Sequence, residues 1–113
     1  MATEEECRAA LDRIVERLGE VEPEQFKEHV VDRTISCRIP DLELTFGSRI
    51  HEGGLEPFVP SDDWRSGQVR VSVNSDDLVA LAKDELNAAR AWATGRLKIE
   101  ANIFDLFRLR RLL

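Results

Sequence analysis

The run Val69-Arg70-Val71-Ser72-Val73-Asn74-Ser75-Asp76-Asp77-Leu78-Val79-Ala80-Leu81-Ala82 changes its hydrophobic period midway. Val69, Val71 and Val73 alternate with Arg70, Ser72 and Asn74, the period of two that a strand with one buried face requires. Ser75 then stands where a helix N-cap belongs, and Asp76 and Asp77 bring negative charge to the first turn, where the helix dipole favours it. Leu78, Val79, Leu81 and Ala82 supply the buried side of that helix. A strand apolar on one side only belongs to a sheet with one covered face and one wet face. The strands of a doubly wound sheet would be apolar on both.

The same reading extends in both directions. Downstream, Asn87 caps a short helix carrying Ala88, Ala89, Ala91 and Trp92, closed by Gly95. Leu97, Ile99 and Ala101 alternate with Arg96, Lys98 and Glu100 as a last strand, and Asn102 caps a helix from Ile103 to Leu113. Upstream, Ile35, Cys37 and Ile39 alternate with polar neighbours up to Pro40, and Leu42, Leu44 and Phe46 form a second strand. With only Pro40-Asp41 between them, the two make an antiparallel hairpin. Gly53-Gly54 marks a turn, Pro57 interrupts a weak strand over Leu55, Phe58 and Val59, and residues 60–67 are a polar loop. Thr3 with Glu6 is a capping box for a first helix whose apolar side is Cys7, Leu11, Ile14, Val15 and Leu18, ending at Gly19. Pro23 opens a second short helix with Phe26 and Val30. The sum is an α+β fold, a mostly antiparallel sheet of about five strands with helices over one face, in one domain over residues 1–113.

Composition narrows the function. The chain has 113 residues, 42% hydrophobic and 34% charged, with a net charge of −6. Residues 1–94 hold 11 basic and 20 acidic side chains, whereas residues 95–113 hold 5 basic and 2 acidic ones. An acidic body disfavours nucleic acid as a partner, because duplex binding rests on Lys and Arg releasing counterions. No apolar run approaches the ~20 residues of a membrane span, and the acidic start excludes a secretory signal. Cys7 and Cys37 are too few for a disulfide framework and fit a reducing compartment, so a cytoplasmic location is expected.

No nucleophile elbow, zinc-binding helix, paired C-x-x-C or phosphate loop is present. His29 and His51 lie 22 residues apart, and Asp32 is the one acid at helical spacing from either, which leaves them surface or capping roles. Cys37 alternates with the buried set of its strand and reads as a small hydrophobe. Asp62-Asp63 reads as a solvated turn and Asp76-Asp77 as a helix start. The expectation is no enzyme, no metal and no cofactor. The unusual feature is Ile103-Phe104-Asp105-Leu106-Phe107-Arg108-Leu109-Arg110-Arg111-Leu112-Leu113, with apolar residues around nearly the whole circumference. On a helical wheel Leu106, Phe107, Leu109 and Leu113 can face the sheet. Phe104 and Leu112 then need a further partner: another subunit, another domain or a hydrophobic ligand.

Two stretches carry a resemblance. The strand leading into Ser75-Asp76-Asp77-Leu78, and Ala91-Trp92-Ala93-Thr94-Gly95-Arg96-Leu97-Lys98-Ile99-Glu100-Ala101-Asn102, resemble the sterol carrier protein 2 (SCP-2) family, in which the second motif reads A-F-x-x-G-K-L-K-I-x-G-[ND]. Family members usually carry Gly where Asp84 and Ala101 stand, so the turn at Ala101 should avoid positive φ here. Trp92 replaces the common Phe and narrows the apolar space beside it. The resemblance implies an apolar tunnel between sheet and helices for an acyl chain, acyl-CoA or sterol, with the last helix as its lid. The lining residues it suggests are Phe46 and Phe58 on strands, Val71 and Val73, Leu81 and Trp92 from the covering helices, and Ile103, Phe104 and Phe107 from the lid. The implied partner is a lipid or other hydrophobic small molecule, with transient membrane contact. The alternative is an interaction or homodimerisation module using the same last helix, serving an enzyme as accessory.

Overall fold

A computed structural model describes residues 1–19, 32–51 and 54–112, the side chains of residues 108, 109, 111 and 112 excepted. The helix expected from Pro23, with Phe26 and Val30, lies outside the described residues, as do His29, Gly53 and Leu113.

Helix α1 spans Glu4–Gly19. It opens on the capping box: Thr3 Oγ1 accepts from the Glu6 amide and Glu6 Oε1 from the Thr3 amide, both at 3.1 Å. Two amides with no partner inside the helix are thereby satisfied. Strand β1 (Arg33–Ile39), a 3-10 turn (Pro40–Leu42) and strand β2 (Leu44–His51) form the antiparallel hairpin. The connection is longer than Pro40-Asp41. Leu42 joins the turn instead of the strand, and Glu43 reverses the chain at φ 54°.

Two short strands, β3 (Gly54–Leu55) and β4 (Val59–Pro60), pair antiparallel with β2, and Phe58 precedes β4 instead of lying in a strand. Strand β5 (Val69–Val73) runs parallel to β1, and β6 (Leu97–Glu100) antiparallel to β5. The sheet order is β3-β2-β1-β5-β6, with β4 beside β2. Helices α2 (Ser75–Ala82), α3 (Ala88–Ala93) and α4 (Ile103–Leu112) complete the described elements.

The helix ends are tied by side chains. Asn87 Oδ1 accepts from the Arg90 amide at 3.0 Å, and Asn102 Oδ1 from the Asp105 amide at 2.9 Å, so both expected caps are in place. Ser75 is not the N-cap of α2 but its first residue. Its amide donates to Asp41 Oδ1 at 2.9 Å and its hydroxyl to the other carboxylate oxygen. The helix start is thus satisfied by a carboxylate from the hairpin turn, and the hydrogen bond from the Ser75 hydroxyl holds the Asp41 carboxyl below its usual range. At the other end, the Arg17 guanidinium donates to the carbonyls of Leu81 (3.1 Å) and Ala82 (2.6 Å) and to Asp84 Oδ2 (2.7 Å). Asp84 adopts φ 61°, a left-handed conformation that glycine takes up most readily. Ala101, the second departure from the motif, is not among the described residues with positive φ.

The face expected to be wet is partly roofed. Ser36, on the side of β1 opposite the helices, is only 3% exposed because the loop at Gly67 lies directly on it. A Cβ at position 67 would stand 2.7 Å from the Ser36 backbone nitrogen. Arg38, on the same side, stacks 4.3 Å over the Trp64 ring.

Two glycines separate conformational from steric cost. Gly95 has φ +81° with open space around a Cβ, so Gly95→Ala should cost about 1 kcal/mol from the left-handed backbone alone. Gly67→Ala should cost more in urea denaturation, because the neighbour that must move is backbone.

Candidate functional site

The site is built by register. On the helix-covered face, Cys37 lies opposite Phe46 on β2 and Val71 on β5, and Val71 lies opposite Ile99 on β6. This row crosses the sheet and divides its apolar surface. On one side, Cys37, Ile39, Phe46, Val73 and Leu97 are packed beneath Cys7, Ala10 and Leu11 of α1, Leu78 and Ala82 of α2, and Ala91 of α3. Here the side chains are nearly all excluded from solvent, and Arg8 lies 5.6 Å over the Phe46 ring.

On the other side, Ile35, Ile50 and Val69 form a smaller buried cluster. Its further apolar neighbours Leu18, Leu55, Phe58, Val71, Ile99 and Ala101 are only partly buried. Among the described residues the larger half-core has twelve buried residues and ten partly buried apolar neighbours, whereas in the smaller one the six partly buried neighbours outnumber the three buried residues; Phe58, Val71 and Ile99 adjoin both.

Helix α4 follows directly on Ala101 and is anchored beside this second half. Asp105, 3% exposed, accepts from Arg33 Nε at 2.9 Å, and Arg33 precedes Ile35 on the same face of β1. This anchor sets the rotation of α4. Phe107 lies two residues from Asp105, ~200° around the helix, and so points outward, against the wheel reading that put it on the sheet. Ile103, Phe104 and Phe107 are 62%, 70% and 59% exposed. The side chains of Leu109 and Leu112, and Leu113 altogether, lie outside the described residues.

Of the residues proposed from sequence, Phe58 and Val71 adjoin both apolar clusters. Phe46 and Val73 are buried in the first, and Leu81 and Trp92 pack partly buried against it. Ile103, Phe104 and Phe107 stand apart from this set. Sequence reasoning passed over Leu18, Leu55, Ile99 and Ala101. The alternation of Leu97, Ile99 and Ala101 placed two of them on the correct face without indicating that they stay partly open.

Two grooves have linings that mix polar and apolar side chains. One, of about 660 Å³, lies between α1 and α2 and is lined by Arg13, Arg17, Lys83, Glu6, Asp84 and Glu85 together with small apolar residues. The other, of about 480 Å³, is lined largely by hydroxyl-bearing residues and glycines around Ser36, Ser48 and Ser61.

Reactive chemistry has little to work with. Burial, and then the neighbouring Cys7 thiol, push the Cys37 thiol up to about 12, and burial raises Cys7 as well. Both remain protonated and unreactive at neutral pH. Among the described residues no group of three or more His, Cys, Asp and Glu is placed to hold a metal ion. Nor is any described helix long and apolar enough to cross a membrane.

A mixed sheet covered on one face by helices is a fold this chain shares with solved sterol carrier proteins. The chain belongs to the SCP-2 sterol transfer family, whose sequence profile matches residues 10–113. It is similar to sterol carrier protein 2 like 2 of Aedes aegypti, with a TM-score of 0.65 and 15% identity, over 96% of this chain and 97% of that one. It is also similar to sterol carrier protein 2 of Aedes aegypti solved in complex with palmitate, with a TM-score of 0.60 and 18% identity, over 99% and 96% of the two chains. A third likeness is to the stereoselective inverting sec-alkylsulfatase of a Pseudomonas species, with a TM-score of 0.60 and 19% identity over 88% of this chain. This chain spans only 16% of that enzyme's length. No sequence among curated proteins matches the chain.

Asp105→Ala should cost about 2 kcal/mol, since it leaves Arg33 partly buried without its carboxylate. Amide exchange in α4 should rise by more than in α1. The thiols give a pH prediction. In the unfolded chain Cys37 ionises near 9.0, in the native one only near 12. Between those values the unfolded state binds fewer protons, so stability falls as pH rises. Urea midpoints measured from pH 8 to 11 should decline, and a disulfide reagent at pH 8 should label neither thiol until the protein is denatured.

Proposed function

We propose that this chain is a non-catalytic carrier that takes up a single hydrophobic ligand, an acyl chain or sterol-like lipid, in the partly open apolar half-core. The observation that carries this reading is the set Leu18, Leu55, Phe58, Val71, Ile99 and Ala101, apolar and half-buried on the covered side of the sheet. Apolar surface left accessible beside a well-packed core lowers stability, so a second occupant is the physical reason to keep it. Membership of the SCP-2 sterol transfer family, and the likeness to a sterol carrier protein solved with palmitate, support the ligand class.

Phe58 and Val71, which adjoin both clusters, form the accessible wall, while Phe46, Val73, Leu81 and Trp92 belong to the neighbouring filled half; residues 1–113 act as one SCP-2-like domain in the cytoplasm. Each buried methylene contributes ~0.8 kcal/mol. About ten methylenes supply ~8 kcal/mol, the net free energy of a micromolar complex, so a chain of about fifteen is needed once an association cost of at least ~4 kcal/mol is met. A second reading rests on the sulfatase likeness: the same fold occurs there within a longer enzyme. The domain would then serve a catalytic partner by presenting or shielding an apolar substrate.

The test is calorimetric titration with palmitate. The wild-type protein should bind one equivalent. Val71→Phe, which fills the wall between Cys37 and Ile99, should lower affinity tenfold or more while the circular dichroism spectrum stays native. Undiminished binding in the folded variant would move the ligand elsewhere, and no saturable binding by the wild type would overturn the carrier reading.

A further inference from the structure

The described residues leave one aromatic patch in solvent, and its surroundings say what covers it. Ile103, Phe104 and Phe107 are all more than half exposed. With the exposed Arg110, their positions fall within an arc of ~120° on the side of α4 away from the buried Asp105. Large apolar residues in the first turns and a cation in the last, all on one side, make a surface that is amphipathic along its length.

The charge of the rest of the chain selects the partner. Residues 1–94 carry nine more acidic than basic side chains, whereas residues 95–113 carry three more basic than acidic ones. An anionic surface therefore repels most of this molecule and attracts the end that displays the aromatic stripe. We propose that the outward face of α4 docks on an anionic lipid bilayer, with Ile103, Phe104 and Phe107 entering the headgroup boundary and Arg110 meeting the phosphates.

The buried Arg33–Asp105 pair fixes which side of α4 faces outward, so the docking face is preset by the fold. It also brings the accessible half-core close to the bilayer, since only the cap Asn102 separates Ala101 of that half from the start of α4. In its purpose the docking rests on the carrier reading; in its physics it does not, and the two can fail separately.

The experiment is co-sedimentation with sucrose-loaded vesicles. The wild-type protein should bind vesicles of 30% phosphatidylserine in phosphatidylcholine at least tenfold more tightly than pure phosphatidylcholine, and lose that preference in 1 M NaCl. Phe104→Ser with Phe107→Ser should reduce binding to the anionic vesicles tenfold or more. Arg110→Glu, an exposed substitution with no packing to lose, should remove most of the preference for anionic lipid.

Val59→Ser controls for generic stickiness, since Val59 is 58% exposed but lies on β4, and should leave vesicle binding unchanged. Equal binding to both vesicle types, or no effect of the α4 substitutions, would overturn the proposal. So would a concentration-dependent dimer abolished by Phe104→Ser and Phe107→Ser in a protein that ignores vesicles, because α4 would then face a second copy. Palmitate binding without vesicle binding would refute the docking and spare the carrier. Vesicle binding retained in a protein that takes up no palmitate would do the reverse.

Discussion

Strand β1 carries two demands at once, and the remaining elements arrange themselves around meeting them. Its backbone is hydrogen-bonded on both edges, antiparallel to β2 and parallel to β5. Its side chains send Ile35, Cys37 and Ile39 to one face and Thr34, Ser36 and Arg38 to the other. A parallel neighbour cannot be reached by a tight turn. The chain between β1 and β5 therefore has to travel, and it uses that length to make β2, two short edge strands and the loop that seats Gly67 on Ser36. The one-sided apolar set likewise forces the helices onto a single face, because any placed opposite would have met Arg38 and Ser36.

Polar side chains then do the positioning that apolar packing leaves undetermined. Hydrophobic contact is non-directional, so it can hold α2 and α4 against the sheet without fixing their ends or rotation. Asp41 fixes the start of α2 through Ser75, Arg17 fixes its end through two carbonyls, and Asp105 fixes the rotation of α4 through Arg33. Each of these links joins segments distant in sequence, and each places an acid or base where its loss leaves a partner unsatisfied. A half-core whose apolar side chains stay partly exposed needs such ties more than a fully buried one does, since it has less apolar contact to hold its helices in place.

What was legible in the sequence follows from the range of the signal. The alternation at Val69–Val73 and at Leu97–Ala101, the Thr3–Glu6 capping box, and the caps at Asn87 and Asn102 are encoded within a few residues, and each element forms as read. That glycine is usual where Asp84 stands came from the family resemblance alone, and the left-handed turn at Asp84 became visible only in the structure. The parallel pairing of β1 with β5, the burial of Ser36 and the true length of β2 depend on residues far apart. Gly47-Ser48-Arg49 shows no alternation, yet it continues β2 because β1 is beside it. Phe107 was turned toward the sheet on the wheel because apolar residues were counted and the single acid was ignored. Asp105 is the residue that faces inward, and a lone carboxylate in an apolar run was the available clue.

The division of the covered face into a filled and an accessible half bears on ligand choice. The filled half is closed by small residues, Ala10, Ala82 and Ala91, which let the helices approach the sheet closely. In the accessible half the facing side chains are larger and branched or aromatic, Leu18, Leu55, Phe58 and Ile99, and they remain partly exposed. Apolar contact along this wall is non-directional, so under the proposed carrier reading selection there would rest on the length and girth of the apolar body. A ligand's polar end would sit at the margin of the sheet near α4, where Arg33 and Asp105 already satisfy one another and solvent remains within reach.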